Sequence, residues 1–216
     1  MADEYGTFAR YYDWMEPVMV PVRRVLEGAV AKAGCRRVLD VCCGTGTQVA
    51  ALRREGVRAV GLDLSQAMLN QAVRKGGLCG TALVRGDATR LPFPGAAFDG
   101  LILSFALHEK PAPIRRAMLV EAHRVLKPAG RLFVLDYAQP VTIAGRIVLG
   151  VLSLVERRAG RAHYRCFREY LQAGGTDALL SSGNWTLLER RSFWKGTAGL
   201  YLASFGHTAD TKDRRP

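Results

Sequence analysis

Apolar residues follow two rhythms along this 216-residue chain. Short unbroken runs appear at Val38–Val41, in the stretch that stops at Asp63, at Ala82–Arg85, at Gly100–Phe105 and at Arg131–Asp136. Their length and branched side chains suit strands buried on both faces. Between them, apolar positions recur every three or four residues. Pro17–Ala33 carries Val22, Val25, Leu26, Ala29, Val30 and Ala33; the segment after Ser65 carries Met68, Leu69, Ala72 and Val73; Pro113–Leu126 carries Ile114, Ala117, Met118, Ala122, Val125 and Leu126. These spacings predict helices. Gly34 stops the first, Ser65 caps the second, and Lys127-Pro128-Ala129-Gly130 ends the third. Later, Thr142–Val155 reads as a very apolar helix with Arg146 inside and Arg157, Arg158 and Arg161 behind it. Trp185–Phe193 and Ala198–Ala203 alternate as a hairpin through Lys195-Gly196 that completes a seven-stranded sheet.

The stretch from Val38 to Asp63 reads as a strand, a glycine turn, a helix and a second strand ending in a carboxylate. That unit opens a nucleotide-binding sheet. The expected fold class is therefore α/β: a Rossmann-like, seven-stranded, mostly parallel sheet with helices on both faces and the last strand antiparallel. Gly44 and Gly46 have no Cβ in the way of a ligand. Asp63, about 20 residues beyond them, falls where ribose hydroxyls would sit. A dinucleotide site wants a small residue three places after the second glycine, and Val49 stands there. S-adenosylmethionine has no phosphate but carries a sulfonium and an amino group, which a carboxylate such as Asp40 serves better.

At these residues the sequence resembles the class I S-adenosylmethionine-dependent methyltransferases, whose first motif is an acid followed by alternating glycines; Cys42 stands at one usual glycine. Two further stretches, GDATRLPFPGAAFDGLILSFALHE and RVLKPAGRLFVLDY, are similar to the group of ubiquinone and menaquinone C-methyltransferases (methyltransferase type 11 domain), with Ala129 replacing a glycine. The resemblance implies that Asp40, Cys42, Gly44, Thr45 and Gly46 hold the amino-acid part of S-adenosylmethionine and Asp63 the ribose. Asp87 and the backbone of Ala88 would contact the adenine, and Leu64, Met68 and Ser104 complete the expected cofactor contacts. Tyr12 and Asp13 match a Tyr-Asp pair of an N-terminal lid.

Ligands in open α/β sheets sit beyond the carboxyl ends of the strands, so Phe105, His108 and Glu109 are expected to face the transferring methyl. With an ordinary pKa near 6.5, His108 is the candidate proton acceptor, and Glu109 would orient it or take that role itself. The competing reading makes them a loop histidine and a solvent-facing glutamate. Tyr12, Phe105, His108, Tyr137, His163 and Tyr164 are the expected acceptor contacts. The apolar Thr142–Val155 segment would pack on the domain, roof an apolar pocket, or rest on a membrane surface. An apolar or aromatic small-molecule acceptor follows. No Asn-Pro-Pro-Tyr motif follows the fourth strand, which argues against methylation of nucleic-acid bases.

Composition adds limits. The net charge of +12 is scattered in pairs such as Arg53–Arg54, Arg115–Arg116 and Arg190–Arg191, without aromatic interleaving, so no nucleic-acid partner is expected. Weak attachment to the inner membrane face stays open in an otherwise cytoplasmic protein. Five cysteines without metal spacing read as free thiols, and no metal is expected. The expected organisation is 1–36 as an N-terminal lid and first helix, 37–137 as the cofactor half, 138–206 as the acceptor side, and 207–216 as a disordered tail. Two rival classes are an NAD-dependent oxidoreductase, disfavoured by Val49 and by the lack of a Tyr-x-x-x-Lys pair, and a cofactor-binding sensor without catalysis.

Overall fold

The computed structural model describes residues 16–75, 78 and 82–206. Tyr12, Asp13 and the polar tail lie outside the described residues. The elements are α1 (Glu16–Lys32), β1 (Arg37–Val41), α2 (Thr47–Arg54), β2 (Arg58–Asp63), α3 (Gln66–Arg74), β3 (Leu83–Arg85), β4 (Phe98–Ser104), α4 (Ala112–Val125), β5 (Leu126–Tyr137), α5 (Ile143–Arg158), α6 (Arg161–Gln172), α7 (Gly175–Ser182), β6 (Trp185–Phe193) and β7 (Ala198–Phe205), with a 3-10 turn at Trp194–Gly196.

The seven strands lie in the order β3-β2-β1-β4-β5-β7-β6. β1 through β5 are parallel, and β7 enters antiparallel between β5 and β6. Period-two alternation splits the strand residues between two cores. On one face Leu39, Val41, Leu101, Leu103, Leu132 and Val134 meet Met118, Leu119 and Val125 of α4 and Phe167 and Tyr170 of α6. On the other, Val38, Ile102, Phe133 and Leu135 meet Val22, Leu26 and Val30 of α1 and Val49 and Leu52 of α2. Each such side chain contributes about 1.5–3 kcal/mol when fully buried, so this two-sided burial is what makes the central strands unbroken apolar runs.

One reading needs correction, two helices are additions, and one open choice is narrowed. β5 begins at Leu126, not Arg131, because the chain leaves α4 extended and pairs with Phe98 before a register shift. α6 and α7, unforeseen as helices, fill the acceptor side. The apolar face of α5 is largely in solvent: Ile143, Ile147, Val151, Leu154 and Val155 are all exposed, while Gly145 and Glu156 are buried. The start of α5 lies hard against the 3-10 turn, where a Cβ on Gly145 would come within 2.5 Å of the Lys195 carbonyl. That close approach fixes which face of α5 points inward, and the face carrying Glu156 is the one chosen.

The strand order reverses between β1 and β4, and this is where such sheets bind ligands. The chain leaves both strands through residues in the left-handed region, Cys42 with φ 61° and Phe105 with φ 50°. Such a conformation is strained for any residue with a side chain, and it turns both loops sharply at the carboxyl edge.

Candidate active site

The cofactor-side residues converge at the carboxyl ends of β1 and β2. Asp63 accepts the Gly44 N–H at 2.8 Å on one carboxylate oxygen and the Ser65 N–H at 2.9 Å on the other. One side chain thus fixes both the glycine turn and the start of α3, whose Met68 N–H is capped by Ser65. Burial pushes the Asp63 carboxyl up, and the two backbone N–H groups pull against it. Gly46 has φ 70°, and a Cβ there would lie 2.6 Å from Leu78 Cδ1 and 3.0 Å from Ala72 Cβ. Only glycine fits this approach of turn to α3.

Asp40 is buried at the end of β1, and its Oδ1 has no hydrogen-bond partner among the described residues. Burial raises its pKa to about 7, against the pull of Arg23 and helped by Asp63. A buried carboxylate oxygen without a donor is costly unless a ligand supplies one. Cys42 and Cys43 are half-buried thiols, pushed up by burial and by Asp40 and Asp63, so neither is a reactive thiolate. Thr45 is buried and accepts from Lys75 Nζ at 2.8 Å. Leu64 is exposed beside Asp63, Met68 is buried in α3, and Ser104 is half-buried at the end of β4. Asp87 is exposed, its Oδ1 closing a turn with the Thr89 N–H and hydroxyl at 2.8 Å each, and Ala88 follows half-buried.

The side expected to face the acceptor is organised around His108. Its ring is buried, with Nδ1 2.8 Å from Asp136 Oδ1 and Nε2 3.6 Å from Glu156 Oε2. Burial opposes a charge on the ring, but Asp136 and Glu156 outweigh it and raise the pKa to about 10. The two carboxylates thus favour the charged form of the ring. A proton acceptor must be neutral at the working pH, and two carboxylates beside the ring work against that state. Glu109 makes its described contacts elsewhere. It pairs with Lys110 at 2.6 Å and lies 3.6 Å from His163 Nδ1.

Orientation belongs to Asp136, which sequence reasoning passed over. This fully buried carboxylate at the end of β5 also accepts the N–H groups of Leu107, His108 and Tyr137. An acid closing an apolar strand was the clue at Asp40 and Asp63, and the same clue marks Asp136. Arg115 of α4, buried, donates to the carbonyls of Leu107 and Cys166 and ties this loop to α6.

Glu156 of α5 was also missed. It accepts the Tyr137 hydroxyl at 2.7 Å and pairs with His163 Nε2 at 2.5 Å. Burial raises its carboxyl, and the contacts with His108, His163 and Tyr137 overcome that and hold it below the usual carboxylate range. Phe105 packs on Tyr137 at 5.5 Å and stacks on Trp194 at 6.0 Å, while His108 meets the Tyr137 ring edge-on at 4.8 Å. Tyr164 stands one ring removed, against Phe167 and under Arg157. The structure thus joins Phe105, His108, Tyr137 and His163 in one cluster that leaves Tyr164 at its margin.

This cluster adjoins the cofactor turn, because Lys110 and Glu109 act electrostatically on Cys42 and Asp63. A sheet of this order, with a carboxylate oxygen lacking a donor beside a glycine turn, suits a nucleoside-type ligand at the carboxyl edge.

Comparisons with known proteins agree. A family model described as a methyltransferase domain matches residues 38–130. The chain is 33% identical over 189 residues to a demethylmenaquinone methyltransferase of Clavibacter sepedonicus, covering 80% of this chain and 75% of that protein. It is 38% identical over 147 residues to the protein of the same name from Geobacillus kaustophilus, covering 65% of this chain and 58% of that one. In fold it resembles magnesium protoporphyrin IX methyltransferase from Synechocystis with bound S-adenosylhomocysteine, at 18% identity and a TM-score of 0.59 over 86% of this chain and 83% of the other. The chain belongs to the class I S-adenosylmethionine-dependent methyltransferases.

Proposed function

We propose that the protein methylates a small aromatic acceptor bearing a ring oxygen, of the quinone or quinol class. The observation that carries this reading is the meeting of an apolar wall, Phe105, Tyr137 and Trp194, with one hydrogen-bonding group, His108, Glu156 and His163, at the carboxyl ends of β4 and β5. A planar ring would lie along the wall and present its oxygen to the polar group. The name shared by the relatives, demethylmenaquinone methyltransferase, supports the same class.

The cofactor side fits S-adenosylmethionine. Asp40 Oδ1, lacking a donor, suits the amino group, and the Gly44–Gly46 turn leaves room for the amino-acid part. Asp63 keeps lone pairs for ribose hydroxyls beyond its two backbone partners, and Asp87 with Ala88 stands for the adenine. When bound, S-adenosylmethionine supplies a methyl carbon made electrophilic by the sulfonium. The chain's own work is alignment and exclusion of water. Asp136 and Glu156 hold the His108 ring on two sides, Arg115 pins the loop that carries it, and Phe105 with Trp194 shields the wall. The exposed apolar stripe of α5, next to Arg146, Arg157 and Arg158, suits a weak hold on an anionic membrane surface, where a lipid-soluble quinone is taken up.

The test is methyl transfer from labelled S-adenosylmethionine to demethylated naphthoquinols, catechols and phospholipid headgroups, followed by mass spectrometry. Ring-methylated naphthoquinol is expected. Transfer to headgroups alone, or none to any ring acceptor while the cofactor binds, would overturn the acceptor class.

A further inference from the structure

The group around Glu156 has the make-up of a metal centre. One ligand atom each from His108, Glu156 and His163 lies within 4.8 Å of the others. The three residues come from separate elements, the loop after β4, the end of α5 and the first turn of α6, so no spacing motif announces them. The two imidazole rings stand 5.5 Å apart with planes at 76°, so they cannot stack, and each turns a nitrogen toward the same carboxylate oxygen.

The surrounding contacts hold these donors in place. Asp136 takes His108 Nδ1, which leaves Nε2 as the donor atom, and the carboxylate is itself fixed by three backbone N–H groups. The Tyr137 hydroxyl occupies Glu156 Oε1, which leaves Oε2 for the ligand role. His163 Nδ1 faces Glu109 at 3.6 Å. Carboxylates or hydroxyls behind each first ligand are the recurrent support of metal-binding histidines. A packing histidine needs only one such partner, whereas here two imidazoles share a buried carboxylate and each has a second acid on its far nitrogen.

We propose that His108, Glu156 and His163 form a binding site for one divalent first-row transition metal ion, such as Zn²⁺, Co²⁺ or Fe²⁺. Two nitrogens and one carboxylate favour these ions over Mg²⁺ or Ca²⁺, which take oxygen ligands. Three protein ligands would leave a coordination position open, and the Phe105–Tyr137 wall packs beside His108. Binding would displace the proton from His108 Nε2 to solvent while Nδ1 keeps its bond to Asp136, and the proton of His163 Nε2 would leave to solvent or pass to Nδ1, which faces Glu109. Resting on the acceptor reading above, the open position takes the acceptor's ring oxygen as its anion; the site itself does not depend on that reading.

The test uses full-length protein without a histidine tag, stripped with chelator and titrated with Co²⁺ and then Zn²⁺. Optical absorption and competition with a chromophoric chelator give the readout, independent of turnover. One tight equivalent per chain is expected, with nitrogen and oxygen ligand-field bands. His163→Ala, at a half-buried position of the α6 first turn, should weaken Zn²⁺ binding at least about 100-fold with unchanged circular dichroism, and His163→Cys should restore it. Asp136→Asn should weaken it roughly 10- to 100-fold. Undiminished binding in His163→Ala, a cobalt–thiolate charge-transfer band pointing to Cys42 and Cys43, or no binding at near-stoichiometric metal would each overturn the proposal. S-adenosylmethionine binding by the same samples shows whether the cofactor side is intact, so a failed metal site and a failed methyltransferase reading are told apart.

Discussion

Replacing Asp40 by asparagine should make the cofactor-free protein more stable and the cofactor bind worse. The carboxyl of Asp40 titrates near 7 in the fold against an ordinary value of 3.8, chiefly because it is buried. Between those two values the folded state holds a proton that the unfolded chain has lost, so stability falls as pH rises through that window. At 1.36 kcal/mol per pH unit the full cost by pH 8 is on the order of 4 kcal/mol. Asparagine keeps the volume and removes the charge, but its amide also lacks a partner, at about 1–3 kcal/mol. The net gain at pH 8 is about 2 kcal/mol, or roughly 4–8 °C in Tm for a chain of this size. At pH 5 folded Asp40 is already protonated, and the advantage should shrink by on the order of 2–3 kcal/mol. Loss of a charge-assisted hydrogen bond to the amino group should weaken S-adenosylmethionine roughly 10- to 100-fold. Thermal unfolding at both pH values and calorimetric titration measure all of this. An Asp40→Asn protein that is less stable at pH 8, or that binds the cofactor undiminished, would refute the reasoning.

Other perturbations have equally definite outcomes. Gly46→Ala forces a side chain at φ 70° against Ala72 and Leu78, and should lower stability by about 2–4 kcal/mol in urea unfolding, with cofactor affinity falling alongside. Asp136→Asn leaves buried donors of Leu107, His108 and Tyr137 poorly matched and should cost about 3–5 kcal/mol in metal-free protein; a loss under about 1 kcal/mol would show that the loop is held some other way. Ile147→Ser with Val151→Ser, both on the exposed stripe of α5, should leave Tm within about 1–2 °C yet reduce co-sedimentation with anionic vesicles. Unchanged sedimentation would remove α5 from any membrane role.

The glycine-turn unit was legible because its signals are local. Asp40, Gly44, Gly46 and Asp63 sit in one contiguous strand–turn–helix–strand unit, where each residue type answers a need set by its neighbours. The acceptor side was legible in position and not in state. His108 could be placed beyond β4 by topology, but its charge depends on Asp136, 28 residues on, and on Glu156 of α5. Glu156 was passed over just beyond a greasy helix segment, because periodicity shows that a helix has two faces but not which one a tight contact at Gly145 turns inward. In α6 the charges of Arg161, Arg165, Arg168 and Glu169 obscured a buried row of Cys166, Phe167, Tyr170 and Leu171.

The strand order has an evolutionary consequence. Every strand before β4 lies on one flank of the sheet and every strand after it on the other, so the ladder between β1 and β4, Val38–Val41 against Gly100–Leu103, is the strand seam between two blocks of chain, with α1 reaching across it to Phe133 and Leu135. A lineage could exchange its later block for another and take up a new substrate while its methyl-donor apparatus stayed intact. The seam constrains such exchanges at Gly100, where a Cβ would press within 3.1 Å of the Cys35 sulfur and 3.2 Å of Val38. Chimeras cut just ahead of Gly100 inherit that fit only if both parents share it.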